Sequence, residues 1–394
     1  MLFESIIITG TSCAGKSSIA EKLCEFTTNS GICFGKVKAV TTRNRRADDF
    51  NYEYINNETF DKLLRNKKLL VDSTYRDEKY GIKKSEYDKV IGEKKVPVLV
   101  ITPTAAAELL AEHAEKYMCV FLDAQDETLI ERWFERSGEE PNKDRIKKFC
   151  KQREKDREHQ DKAHYIINNV DLSVSVSLIA FLWEYQHQGG ALSQKIISRM
   201  IECGMLLRNA DPKMINGASY DLRLGDEYYY DGKIQKLSDE RPFLTIEPYD
   251  YAIVSCKETA WIPRDVIAKF GLTVGLFCQG VILSNGPQID PGFRGTLFCL
   301  LFNTSNRAVH LKRGKHYATI EFNKLIGYAE PYEGKYQGKE RIIEYIPENA
   351  LHGAINELKK EVEHLKTESR VMQNIYLGVV ALMFAIISIL LVIK

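Results

Sequence analysis

The densest chemistry in the sequence begins at Gly10. Gly10, Thr11, Ser12, Cys13, Ala14, Gly15, Lys16 and Ser17 place two glycines around four residues, then a lysine and a hydroxyl. Such a loop curls until successive backbone N–H groups face a phosphate. The lysine adds a point charge toward the β- and γ-phosphates, and the hydroxyl holds Mg2+. The apolar run Ile6–Thr9 reads as a buried strand before the loop. Ser18–Phe26 reads as a helix after it, with its positive dipole end toward the same phosphate. Gly10 through Ser18 are therefore expected to bind ATP, with Lys16 acting on the transferred phosphoryl group and Ser17 on the metal.

A second cluster suits phosphate as well. Thr41, Thr42, Arg43, Asn44, Arg45 and Arg46 are followed by Tyr52 and Tyr54, then by Lys79, Tyr80 and Gly81. Guanidinium forks match phosphate oxygens bidentately, and phenols add further donors. Together with the loop at Gly10, this ordered set resembles the guanylate kinase family over roughly residues 3–186. The resemblance implies that Arg43, Arg46, Tyr52 and Tyr80 grip the acceptor's phosphate. It also implies that Arg132 and Arg136 belong to a lid over the transferring group, with Arg145, Lys147 or Lys148 as a second lid cation. His164–Asn169 resembles the family's closing strand. Three positions depart from the pattern: Ala39 and Val71 stand where a hydroxyl and a carboxylate would read guanine, and Thr102 where an Asp is expected. A site reads a base through its own polar groups, so a different acceptor or base is expected.

A third group of residues lies downstream. Ala218–Gly225, Glu258 with Thr259, Gln288–Gly295 (QIDPGFRG), Asn303 and Pro331–Gly338 (PYEGKYQG) together resemble the dCTP deaminase branch of the trimeric dUTPase fold, over about 192–345. That family moves protons with a glutamate on the strand after the PGF turn, helped by a Ser and an Arg. Here Leu300 takes the glutamate's place, the arginine is gone, and Thr273 alone replaces the serine. Deamination without a general acid/base has no path for its protons, so the activity is expected to be absent. Asp290 either positions a water or ties down its turn. Thr273, Gln288, Asp290, Lys335, Tyr336 and Lys339 remain as the expected nucleotide pocket.

These residues need a framework to position them. Upstream of Gly189-Gly190, strand-like runs (Ser5–Ile8, Val96–Ile101, Met118–Leu122, Tyr165–Ile167) alternate with helical stretches, which predicts an α/β domain with a parallel sheet. Downstream, Ala252–Ser255, Gly271–Leu276, Gly295–Phe302, Val309–Leu311 and Tyr317–Phe322 predict an all-β unit. Leu351, Ile355, Leu358, Val362, Leu365 and Met372 alternate by four and three, the seam of a short coiled coil or one face of an amphipathic helix. Ile375–Ile393 carries no charge and has the length of a membrane span, about 19 residues. The expected divisions are 1–188, 191–348, 350–373 and 375–393.

Composition narrows the function. The chain has 394 residues, 55 Lys+Arg against 54 Asp+Glu, and a net charge of +1, so no general attraction to nucleic acid is expected. Nine scattered cysteines without a CxxC pair argue against a disulfide scaffold or zinc site. The N-terminus lacks a secretory leader, and Lys359, Lys360, Lys366 and Arg370 precede the apolar run, which predicts a tail anchor with the bulk of the chain cytoplasmic. The expectation is a tail-anchored homotrimer acting as a nucleoside monophosphate kinase, using ATP and Mg2+. The alternative is a non-catalytic nucleotide sensor at the membrane, an arrangement suited to defence against foreign DNA.

Overall fold

The computed structural model describes residues 3–45, 52–75, 77–137, 143–186, 188–286, 288–346 and 354–392. Its N-terminal part is built on five parallel strands in the order Phe34–Lys36, Val96–Val100, Ser5–Gly10, Tyr117–Asp123 and Tyr165–Asn168. The central strand is buried along its whole length, which explains its unbroken apolar run: a parallel sheet is covered on both faces. Lys16–Glu25 and Leu172–Glu184 pack together beside it, and Pro103–His113 contributes to a separate apolar cluster with Ile7, Leu99 and Phe121. All five strands run one way, so Gly10, Thr102, Asp123 and Asn169 gather at their carboxyl ends, where open α/β sheets bind ligands. A smaller sheet, ordered Tyr52–Tyr54, Ala39–Thr41, Glu78–Lys83 and Leu69–Tyr75, stands beside that edge.

The second part is antiparallel. Ser219–Tyr230, Tyr251–Trp261, Arg294–Asn303 and His316–Lys324 are its long strands, within a nine-stranded sheet. Tyr220, Leu222 and Leu224 are buried while Ser219, Asp221 and Arg223 are half-buried, the period-2 alternation of a strand with one face on a core. Two elements differ from expectation. Gly271–Leu276 is not one strand: a strand ends at Leu272, and Val274–Phe277 forms a helical turn in which Leu276 and Phe277 donate N–H groups to the Thr273 carbonyl. The chain also forms a helix over Gln194–Glu202, with Ile196, Ile197 and Met200 buried.

The two parts share a continuous apolar core. At their junction Tyr165 Oη donates to Asp265 Oδ2 at 2.6 Å and lies 2.7 Å from Tyr328 Oη. Lys324 Nζ is 3.1 Å from the same carboxylate. The Asn168 amide donates to the Cys203 carbonyl at 2.8 Å. Beyond the β-rich part, Ala354–Val392 is one 39-residue helix, so the expected seam and the apolar run are continuous. Val362, Leu365 and Met372 of the seam are exposed; Leu351 lies outside the described residues. By length and composition, Glu361–Ile386 could cross a membrane.

Candidate active site

The loop at Gly10 leaves its strand in a conformation few residues adopt. Gly10 has φ +133°, and a Cβ there would lie 2.0 Å from the Leu122 carbonyl oxygen. Gly15 has φ +89°, and its Cβ would lie 2.5 Å from Asn169 Nδ2. Both glycines are therefore required by space as well as by backbone angle. Lys16 folds back over the loop, donating to the Gly10 and Thr11 carbonyls at 2.8 and 2.7 Å. Ser17 is half-buried in the first helical turn and Ser18 is exposed.

Three neighbouring elements hold the loop in place. Thr11 Oγ1 donates to Asp123 Oδ1 at 3.0 Å. Arg157 grips Asp123 through Nε at 2.7 Å and Nη2 at 3.1 Å, and also reaches Asp126. Burial opposes the charge on Arg157, but the two carboxylates outweigh it and raise its pKa. Asn169 is buried, donates from Nδ2 to the Ala14 carbonyl at 2.8 Å, and accepts from Ser175 Oγ at 2.9 Å. Arg132 Nη2 donates to the Asn169 carbonyl at 3.2 Å. Polar groups on four separate segments thus converge around one loop.

Across from it lies a cleft of about 690 Å³ including its mouth, lined by Gly10, Ser12 and Lys16 on one side and Tyr52 and Tyr80 on the other. The Arg43 guanidinium sits 5.1 Å from the Tyr52 ring centre, and Tyr52 meets Tyr80 edge-on at 6.1 Å. Ala39, Val71 and Thr102, the three departures, all line this cleft. Ser73 Oγ lies 2.8 Å from Thr102 Oγ1, which also caps the helix at Ala105. Asp72 lines the cleft beside Val71 and Ser73, so this end combines apolar side chains with a hydroxyl pair and a carboxylate. Arg46 lies outside the described residues, as does the side chain of Arg136.

Arg145, Lys147 and Lys148 are exposed, whereas Phe149, Arg153 and Arg157 occupy the inner face of Lys143–Arg157. Arg153 is buried, pairs with Asp126 at 2.5 Å, and stands near Phe149, which stacks on Trp133. Tyr75 Oη donates to Asp156 at 3.2 Å, tying this helix to the acceptor side. Asp123, Arg153, Arg157 and Asn169 carry the site's polar structure, yet none was assigned a role from sequence. The signal was present in part: Phe149, Arg153 and Arg157 recur every four residues, and Asp123 ends an apolar strand.

Among the described residues no group of three His, Cys, Asp or Glu side chains forms a metal cage. That fits Mg2+, which binds through one or two oxygens plus phosphates and waters. Ser17 carries such an oxygen at the start of the helix after the loop, while both Asp123 oxygens are taken by Thr11 and Arg157.

In the β-rich part, Gln288 Nε2 donates to Asp290 Oδ1 at 2.8 Å, and Thr273 begins the turn Val274–Phe277. Lys335 lies 4.8 Å and Lys339 5.5 Å from the Tyr336 ring centre, which stacks on Tyr345. Among the described residues, no hydrogen bond joins Thr273, the Gln288–Asp290 pair and the lysines within one chain. Leu300 sits on Arg294–Asn303, paired with Ile253 and Ser284.

Comparison with known proteins agrees with both halves. Residues 3–185 match the guanylate kinase family and residues 191–325 the dCTP deaminase-like family. The dCTP deaminase of Thermococcus kodakarensis is 38% identical over 139 residues, covering 35% of this chain and 88% of that protein. That of Pyrococcus furiosus is 34% identical over 139 residues, with the same 35% and 88% coverage. A crystal structure of guanylate kinase from Anaplasma phagocytophilum aligns with a TM-score of 0.37 at 18% identity, covering 47% of this chain and 86% of that one. The chain belongs to the dCTP deaminase-like family through its β-rich half, which is joined to an N-terminal part that matches the guanylate kinase family model.

Proposed function

We propose that this chain is a membrane-attached nucleoside monophosphate kinase whose β-rich half binds nucleotide without deaminating it. The observation that supports the reading is the cleft with Lys16 and the Gly10 loop on one wall and Tyr52 and Tyr80 on the other, with the Arg43 guanidinium 5.1 Å from the Tyr52 ring centre. A phosphate oxygen of the acceptor would attack the γ-phosphorus of ATP, and ADP would leave with the electrons of the broken P–O bond. Because the protein makes no covalent bond, catalysis reduces to positioning and charge stabilisation. Lys16, Arg132 and Arg136 would stabilise the transferred group, with Arg43, Arg46, Tyr52 and Tyr80 fixing the acceptor. Ser17 would hold Mg2+.

The working units in this reading are residues 1–188, 191–348, 350–373 and 375–393. The last is the membrane span, with the bulk of the chain cytoplasmic, and the β-rich part assembles as a trimer. Thr273, Gln288, Asp290, Lys335, Tyr336 and Lys339 would meet across chains of that trimer. A second reading, a nucleotide sensor without turnover, is favoured by one observation: Arg153 and Arg157 are engaged by Asp126 and Asp123 rather than facing the cleft.

The test is a screen of common monophosphates with ATP and Mg2+, following ADP release and binding together. Lys16→Ala should abolish transfer and weaken ATP binding, because no other cation in the loop replaces it. ATP affinity unchanged in that variant would refute the phosphate-loop assignment. Binding without ADP release from any acceptor would replace the kinase by the sensor.

A further inference from the structure

The two halves of the chain enclose a second cleft, about 1170 Å³ including its mouth, separate from the cleft at Lys16 and sharing its closing arm with Lys335 and Tyr336 of the expected β-domain pocket. Asp161 and His164 line it from the kinase side, Trp261, Arg264 and Arg294 from the β-rich side, and Tyr332 from the closing arm. Two guanidinium groups, Arg264 and Arg294, and two carboxylates, Asp161 and Glu333, line it, with Arg208 behind Trp261. Arg294 lies 4.4 Å from the centre of the Trp261 ring, and Arg208 lies 3.3 Å from the same ring. Arg264 stands in the same cleft, with Nε bound to the Ala329 carbonyl.

The carboxylates facing these groups are poorly placed to neutralise them. The Arg294 side chain is 25% exposed, but its partner Asp161, at 2.7 Å, is 70% exposed. Arg264 is 21% exposed, and its partner Glu330, at 3.5 Å, is 96% exposed. Exposed partners contribute about 0–1 kcal/mol, too little to offset half-buried cations. Burial, and then the Arg294 charge, lowers the pKa of Arg208. Burial, and then Arg264, brings His164 down to about 3 and keeps that ring neutral. Two half-buried guanidinium groups, with the lining carboxylates Asp161 and Glu333 both exposed, are the electrostatic arrangement of an anion site.

The wall is also preformed. Gln337 accepts the Arg294 amide at 2.8 Å and donates to the Gly292 carbonyl at 2.8 Å. The arm lies so close that a Cβ on Gly292 would stand 2.7 Å from Pro331 Cβ. Tyr332 packs edge-on against Phe293 and brings an aromatic surface to the cleft.

We propose that this interdomain cleft binds a nucleoside phosphate, with its phosphates on Arg264 and Arg294 and its base against Tyr332. Binding would draw Arg294 from Asp161, which follows the helix Lys143–Arg157 that carries Arg153 and Arg157. Occupancy would thereby alter the lid of the kinase cleft. That consequence rests on the kinase reading; the site itself does not.

The experiment is equilibrium dialysis of the full chain in detergent, with labelled ATP and dCTP in turn and with pyrophosphate as competitor. Lys16→Ala with Asp290→Asn weakens the other two pockets and should still leave about one nucleotide bound per chain. Adding Arg264→Gln and Arg294→Gln should raise the dissociation constant at least tenfold. Tyr332→Ala should weaken nucleotide binding but not pyrophosphate binding. No nucleotide bound to the Lys16→Ala, Asp290→Asn chain, or affinity indifferent to both arginines, overturns the proposal. Equal affinity for pyrophosphate and nucleotide, with Tyr332→Ala inert, overturns the nucleoside and leaves an inorganic anion site. If the glutamine variants fail to fold, Arg264→Lys with Arg294→Lys decides: charge without the bidentate fork should still cost several-fold in affinity, and unchanged affinity overturns the proposal. The lid consequence is read separately, as a change in the KM for ATP on Arg294→Gln; an unchanged KM removes that consequence alone.

Discussion

Acidification should loosen the junction between the two halves through one residue, His164. Its ring is 8% exposed, packs against Phe3 and Tyr328, and accepts the Cys119 amide at Nδ1 at 3.0 Å. A proton on Nδ1 would displace that amide and charge an apolar site. Burial, reinforced by the nearby Arg264, therefore lowers the pKa from 6.5 to about 3. The unfolded chain binds a proton below pH 6.5 that the folded chain does not accept until about pH 3. Stability from the neutral ring is thus complete above pH 6.5 and is lost as pH falls toward 3. At about 1.4 kcal/mol per pH unit, the loss is about 2 kcal/mol at pH 5 and reaches a ceiling of about 5 kcal/mol. His164→Asn retains an acceptor near the Nδ1 position but does not titrate. Melting curves of both chains at pH 7.5 and pH 5 provide the test. The variant should start lower, having lost packing, yet lose less on acidification, by about 2 kcal/mol or roughly 4–8 °C. Equal acid-induced drops in the two chains would show that His164 is not the titrating group.

Three further outcomes are expected. Asn169→Ala strands the Ala14 carbonyl and the Ser175 hydroxyl, at about 1–3 kcal/mol for each buried group left unpaired. It should lower the melting temperature and weaken ATP binding about tenfold; unchanged ATP affinity would remove Asn169 from the loop's support. The purified chain should release no dUTP from dCTP, and Leu300→Glu alone should not restore release because the partner arginine is also missing; steady dUTP production by the wild type refutes this. A chain ending at residue 346 should sediment as a trimer, since a β-domain interface is larger than a short helical seam can supply; a clean monomer or dimer separates the family's fold from its assembly.

What the sequence revealed about this site depended on how local the information was. The Gly10 loop was legible as a strand–loop–helix unit because its motif lies within nine consecutive residues and its flanks follow simple periodicities. Ala39, Val71 and Thr102 were legible for a different reason: the resemblance supplied their places, and all three do line one cleft. Arg153 and Arg157 were obscured by their setting. A helix with charges on every side does not reveal which cations face inward until Phe149 is seen stacking on Trp133. Val274 and Leu276 were misread as part of a strand because short apolar runs have the same pattern in a strand and a helical turn. Ile196, Ile197 and Met200, by contrast, follow helical spacing, and the helix they mark was available to a closer reading.

The junction was beyond sequence reading altogether, and it constrains how the halves cooperate. Asp265 is fully buried and Lys324 nearly so, yet both belong to the β-rich part while Tyr165 belongs to the kinase-like sheet. A buried ion pair contributes little net stability, whereas removing one partner costs about 3–5 kcal/mol. Such a pair therefore acts mainly on geometry. Tyr165 can satisfy Asp265 only when the edge strand Tyr165–Asn168 is seated against the β-rich part, and the same strand leads directly to Asn169 beneath the phosphate loop. Any displacement of the halves that pulls on this strand must be felt at the Ala14 carbonyl. The interdomain cleft lies beside that strand, lined by His164 and Tyr165, so a ligand there would act four residues from Asn169, which supports the Gly10 loop.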